Sequence, residues 1–82
     1  MKLPRDLSGN DLVQVLKKMG YRITRQTGSH IRISTSEKGE HHVTIPNHDA
    51  LRVGTLASIL GEIANHFELD RDEILKTLFG KC

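Results

Sequence analysis

Apolar residues in this chain change their spacing twice, and that double change leaves few folds open. In "SGNDLVQVLKKMG", Leu12, Val15, Leu16 and Met19 fall at i, i+3, i+4 and i+7, one stripe of a helix. The period then drops to two: "YRITRQ" alternates around Ile23, "HIRIS" around Ile31 and Ile33, and "HHVTIP" around Val43 and Ile45. From "GTLASIL" onward the helical period returns. Leu56, Ile59, Leu60, Ile63 and Phe67 share one stripe, and Ile74, Leu75 and Leu78 share another. Helix, three strands, helix, helix is an α+β pattern.

Local signals punctuate the same elements. Ser8 with Asp11, and Asp70 with Glu73, have the spacing of a capping box, which satisfies backbone N–H groups left unpaired by a first helical turn. Gly20 and Gly80 stand where the first and last helices should stop, and the middle helix should start at Gly54 or Thr55. Lys17 and Lys18 fall in the last turn of the first helix, where they complement its dipole. "TGS" and "EKGE" are glycine-bearing connections of hairpin length, so the strands form a three-stranded antiparallel meander. One face of that meander is apolar, so the helices should cover that face alone. The expected order is α-β-β-β-α-α.

With 82 residues, the chain reads as one domain over residues 1–82. A chain of this size buries little more than about 60% of its unfolded surface, so it has no room for a deep substrate cavity. Any chemistry belongs on an open face. Cys82, the one cysteine, allows no intramolecular disulfide and fits a reducing compartment. The chain has neither the roughly 20 apolar residues a membrane span needs nor a signal-peptide pattern after Met1, which reads as soluble and cytoplasmic.

Strand parity says what that open face carries. If Ile31 and Ile33 point at the helices, then His30, Arg32 and Ser34 point away. Arg22, Thr24 and Gln26 join them from the first strand, and His42 and Thr44 from the third. Arg25 falls on the core side by the same count, unless it reaches around from the strand end. Residues 1–36 carry seven Lys/Arg against two Asp, a net +5, while residues 37–82 carry five basic and eight acidic residues, a net −3. A basic surface that meets polyanion accounts for this split; two ordinary solvated faces account for it as well.

Few residues could do chemistry. His41 and His42, adjacent on a strand, face opposite ways and cannot chelate together, and no Cys cluster or His-x3-His spacing marks a metal site. Ser29 lacks the turn context of a nucleophile and reads as a turn residue bonded to backbone. His30 beside Arg32 suits cleavage of RNA, whose 2′-hydroxyl already supplies the nucleophile. Imidazole moves protons near neutrality, and a guanidinium can grip phosphate oxygens with two hydrogen bonds.

From "LSGNDLVQVLKKMGYRITRQTGSHIRI" through "HHVTIPNHDALRVGTLASIL" the chain resembles the HicA (YcfA-like) toxins of toxin–antitoxin pairs. Carrying the resemblance are Leu-x-Gly-x-x-Leu followed by Lys-Lys-Met-Gly-Tyr, then Arg25-Gln26-x-Gly28-Ser29-His30, Pro46-x-His48 and Gly54-Thr55-Leu56. It implies a double-stranded-RNA-binding-like fold acting as a metal-independent mRNA endonuclease, with no cofactor, silenced by a HicB-type antitoxin. The family's catalytic histidine falls on His30; around it, on our reading of the residues, Arg22, Arg25 and Arg32 with Ser29 would form the RNA-binding rim. His48 matches a second histidine position, where substrate contact and a structural role in the loop are both open. Gly54-Thr55 would start a helix whose N–H groups could hold a phosphate or merely let the chain turn. "GEIANHFELDRDEILKTLFGKC" departs from shorter members by adding a full third helix. Two other readings use the same face: a non-catalytic RNA-binding module, and a protein–protein adaptor working through the open sheet or an edge strand.

Overall fold

The computed structural model describes residues 4–80. Lys2 and Cys82, counted above in the basic half and as the lone thiol, lie outside the described residues. The architecture is the expected α-β-β-β-α-α: α1 (Gly9–Leu16), β1 (Arg22–Gln26), β2 (His30–Thr35), β3 (His41–Pro46), α2 (Val53–Phe67) and α3 (Arg71–Phe79). The strands form an antiparallel sheet in the order β1-β2-β3.

Both capping boxes form. The Ser8 hydroxyl accepts from the Asp11 N–H at 2.9 Å and the Asp11 carboxylate from the Ser8 N–H at 3.2 Å. Asp70 and Glu73 repeat the exchange at 2.8 and 3.0 Å. The first helix ends earlier than its apolar stripe suggests. After Leu16 the chain tightens into a 3-10 turn over Lys17–Met19 and closes on Gly20 at φ 83°. A side chain there would meet strain and also Glu37 Cγ at 2.7 Å. α2 begins at Val53, just before the expected Gly54 or Thr55, and its N-cap Arg52 makes no side-chain cap.

Leu12, Leu16, Ile31, Ile33, Val43, Ile45, Leu56, Ile59, Leu60, Ile63, Phe67, Ile74, Leu75 and Leu78 form one buried cluster, as their periodicity requires. Val13, Tyr21, Leu51 and Ala64 join it without having been signalled by a stripe. Each buried Leu or Ile is worth about 2–5 kcal/mol against truncation to Ala.

Two expectations about β1 are overturned. Ile23, expected in the core, is 40% exposed. The reason is coverage: α1 and α2 pack against β3, and β1 has β2 as its principal neighbour. The alternation of β1 also breaks. A bulge between Ile23 and Arg25 puts Arg25 opposite Arg32 and Gln26 opposite Ile31. Cross-strand partners share a face, so Arg25 belongs to the open face and Gln26 to the helix side, the reverse of their expected places.

Candidate active site

His30 opens β2 where the Thr27–Ser29 turn hands over to the strand, and its backbone is held from two sides. The Thr27 N–H donates to the His30 carbonyl at 2.9 Å, and the His30 N–H donates to Thr27 Oγ1 at 3.2 Å. From just past the end of β3, the Asn47 N–H donates to the Ser29 carbonyl at 2.9 Å and the Asn47 side-chain amide to the Gly28 carbonyl at 3.4 Å. The imidazole itself is exposed, with Nδ1 3.0 Å from Ser29 Oγ. The Ser29 hydroxyl therefore turns to its neighbour's ring, not to the backbone as expected. That bond leaves Nε2 without a partner among the described residues. When Nδ1–H donates to Ser29, Nε2 is a proton acceptor; when the hydroxyl donates to Nδ1, Nε2–H is a proton donor.

Register fixes what surrounds the ring. On β3, Pro46 stands opposite His30, Thr44 opposite Arg32 and His42 opposite Ser34; on β1, Arg25 stands opposite Arg32 and Arg22 opposite Ser34. Ser34 is only 4% exposed although its face is open, because Thr24 Oγ1 lies 3.3 Å from its hydroxyl and His42 Nδ1 hydrogen-bonds it from the other side. Glu40 sits 3.6 Å from His42 Nε2. Arg22, Arg25 and Arg32 are exposed and have no carboxylate partner among the described residues. Like charges placed directly across a strand pair destabilise the sheet, so the Arg25–Arg32 pair carries a repulsion that a bound anion relieves.

His48 is exposed in the loop after β3. Its carbonyl accepts the Gly9 N–H at 2.9 Å, and its ring has no hydrogen bond among the described residues. His41 and His42 diverge as strand parity requires. His42 joins the open face, while His41 turns to the Tyr21 hydroxyl at 2.7 Å and stacks on His66 with ring centres 4.4 Å apart. Among the described residues no three His, Cys, Asp or Glu side chains gather where a metal could bind. A groove between α2 and α3, lined by Leu60, Ala64, Leu69 and Ile74, shares no residue with the His30 face.

Compared with known proteins, residues 9–64 match the family model described as the HicA toxin of bacterial toxin–antitoxin systems. No curated protein and no solved structure gives a significant match.

Proposed function

The chain belongs to the HicA toxin family and is thus the toxin of a toxin–antitoxin pair, and from that premise we propose that it is an mRNA endonuclease with His30 as its general acid–base. The observation that carries the reading is the pairing of Arg25 with Arg32, two guanidinium groups without a carboxylate partner among the described residues, on the face that also bears the His30 imidazole. Nε2 of His30 takes the proton of a ribose 2′-hydroxyl. As the 2′-oxygen bonds to phosphorus, the bond from phosphorus to the 5′-oxygen breaks, and the imidazolium returns the proton to that leaving oxygen. Arg25 and Arg32 hold the non-bridging oxygens as charge builds, and Arg22 holds a neighbouring phosphate. Ser29 positions the ring, and His48 lies in the loop that flanks the substrate path. The nucleophile comes from RNA, so the step requires no metal and no cofactor. Residues 1–82 act as one unit in the cytoplasm, where mRNA is met, and a HicB-type protein is the antitoxin. No helix among the described residues is long and apolar enough to cross a membrane.

His30→Ala is the deciding variant. Wild type should arrest growth on induction and degrade RNA in the presence of a chelator. The alanine form should do neither, yet stay folded and bind RNA within about tenfold of wild type, or about 1.4 kcal/mol. Cleavage at the wild-type rate would remove His30 from the mechanism. If neither form cuts and both bind, the non-catalytic RNA-binding module replaces this reading.

A further inference from the structure

β1 is the least covered element of the fold. All five of its residues are exposed, and it forms one edge of the sheet. Its partner Ile33 is fully buried while Ile23, directly opposite, is 40% exposed, so the helical layer stops short of this strand. An edge strand displays a row of unpaired N–H and C=O groups, and proteins usually blunt such edges with bulges and charge. The bulge between Ile23 and Arg25 and the two arginines do this here. Unlike an ordinary blunted edge, though, this one keeps an apolar side chain uncovered and its cations without carboxylates among the described residues.

We propose that the free edge of β1 is the docking site of the cognate antitoxin, which adds an extended acidic segment as a fourth strand. The proposal rests on the chain's being the toxin of a pair, and not on the catalytic role of His30. Three features select this occupant. A strand supplies the backbone partners that the edge lacks, the mode by which many sheet-edge complexes form. An apolar residue of that strand on the helix side would cover Ile23. Acidic residues at alternate positions would meet Arg22 and Arg25 on the opposite face, giving fast, salt-sensitive association. RNA could satisfy the arginines, but it offers no backbone ladder and no cover for Ile23. A strand seated here also stands beside Arg22 and Arg25, one strand away from Arg32, at the margin of the cleavage face.

The test uses the full chain and its cognate antitoxin. Amide exchange of residues 22–26 should slow by at least about tenfold in the complex. Ile23→Glu, on the face of the sheet opposite to His30, should raise the antitoxin Kd by at least about tenfold while the free toxin still arrests growth and keeps its circular dichroism. His30→Ala should bind the antitoxin as wild type does, whether or not the chain proves to be a nuclease. β1 amides that exchange in the complex as they do in the free protein would overturn the proposal, as would wild-type affinity in Ile23→Glu. Slowing of the same amides by an RNA oligonucleotide alone would assign the strand to substrate instead.

Discussion

Gly9 has no room for a side chain. A Cβ at this position would overlap the carbonyl of Pro46, which is backbone and cannot swing aside. The surrounding bonds show why the approach is so close: the Gly9 N–H reaches the His48 carbonyl at 2.9 Å and the Leu51 N–H reaches Leu7 at 2.7 Å, lacing the start of α1 to the loop after β3. Gly9→Ala should therefore lose about 1–3 kcal/mol, the usual size of an overpacking penalty, seen as a lower denaturant midpoint. Pro46 is the cross-strand partner of His30, so RNA cleavage should drop further than stability alone explains. A variant as stable as wild type would mean the loop yields freely. The sequence marks Gly9 as part of Leu-x-Gly, but the carbonyl it must avoid lies far along the chain and leaves no local trace. Gly28 shows the opposite case: its φ lies outside the left-handed region and nothing lies within 4 Å of a Cβ there, so the turn does not depend on it. Ser29 was legible as a turn residue, but its grip on the His30 ring depends on a rotamer, which composition and spacing do not encode.

At the level of elements, the helices were readable because their signals are local: each capping box spans four residues and each stripe repeats within one helix. β1 was misread because Tyr21 and Ile23 set up a regular alternation, and the bulge that follows is set by the neighbouring strand. The junction of Tyr21, His41 and His66 escaped for the same reason, since its members come from before β1, from β3 and from α2. Tyr21 is 3% exposed, and its hydroxyl meets His41 Nδ1. His66 Nε2 faces the carbonyls of Glu37 and Gly39 at 2.9 and 3.1 Å, both acceptors, so that nitrogen carries a proton. Burial first, then the neighbouring His66, push the His41 pKa below its ordinary 6.5, with Glu62 opposing and His42 assisting. The unfolded chain thus takes up a proton before the folded one does. Stability should fall as pH drops below about 6.5 and level off once folded His41 is protonated. Burial first, then Glu62, push Tyr21 from 10.0 up to about 12, so stability should fall again as pH rises through that interval. Urea midpoints across pH would trace both limbs, and His41→Gln should flatten the acid one. An acid limb unchanged in that variant would clear His41 of the effect.

Across the whole molecule, two lysines and three arginines divide two tasks. Lys18 Nζ donates to the Leu78 carbonyl at 3.1 Å and Lys38 Nζ to Phe67 at 3.4 Å, so these lysines satisfy the C-terminal ends of α3 and α2. The open face is left to Arg22, Arg25 and Arg32, a sorting that a net charge by halves could not resolve. Three phosphate contacts on single-stranded RNA imply a slope of about −2 in log affinity against log salt, or roughly twentyfold weaker binding at 200 than at 50 mM. Anisotropy titrations with the His30→Ala form would measure it without cleavage, and Arg32→Ala should reduce the slope by about 0.7. Affinity independent of salt would end the polyanion reading. α3 has a different consequence. The family match stops at residue 64, yet Ile74, Leu75 and Leu78 are each no more than 1% exposed within the core. A nascent chain thus has every residue of the His30 face joined before the side chains that finish the core behind that face have been added.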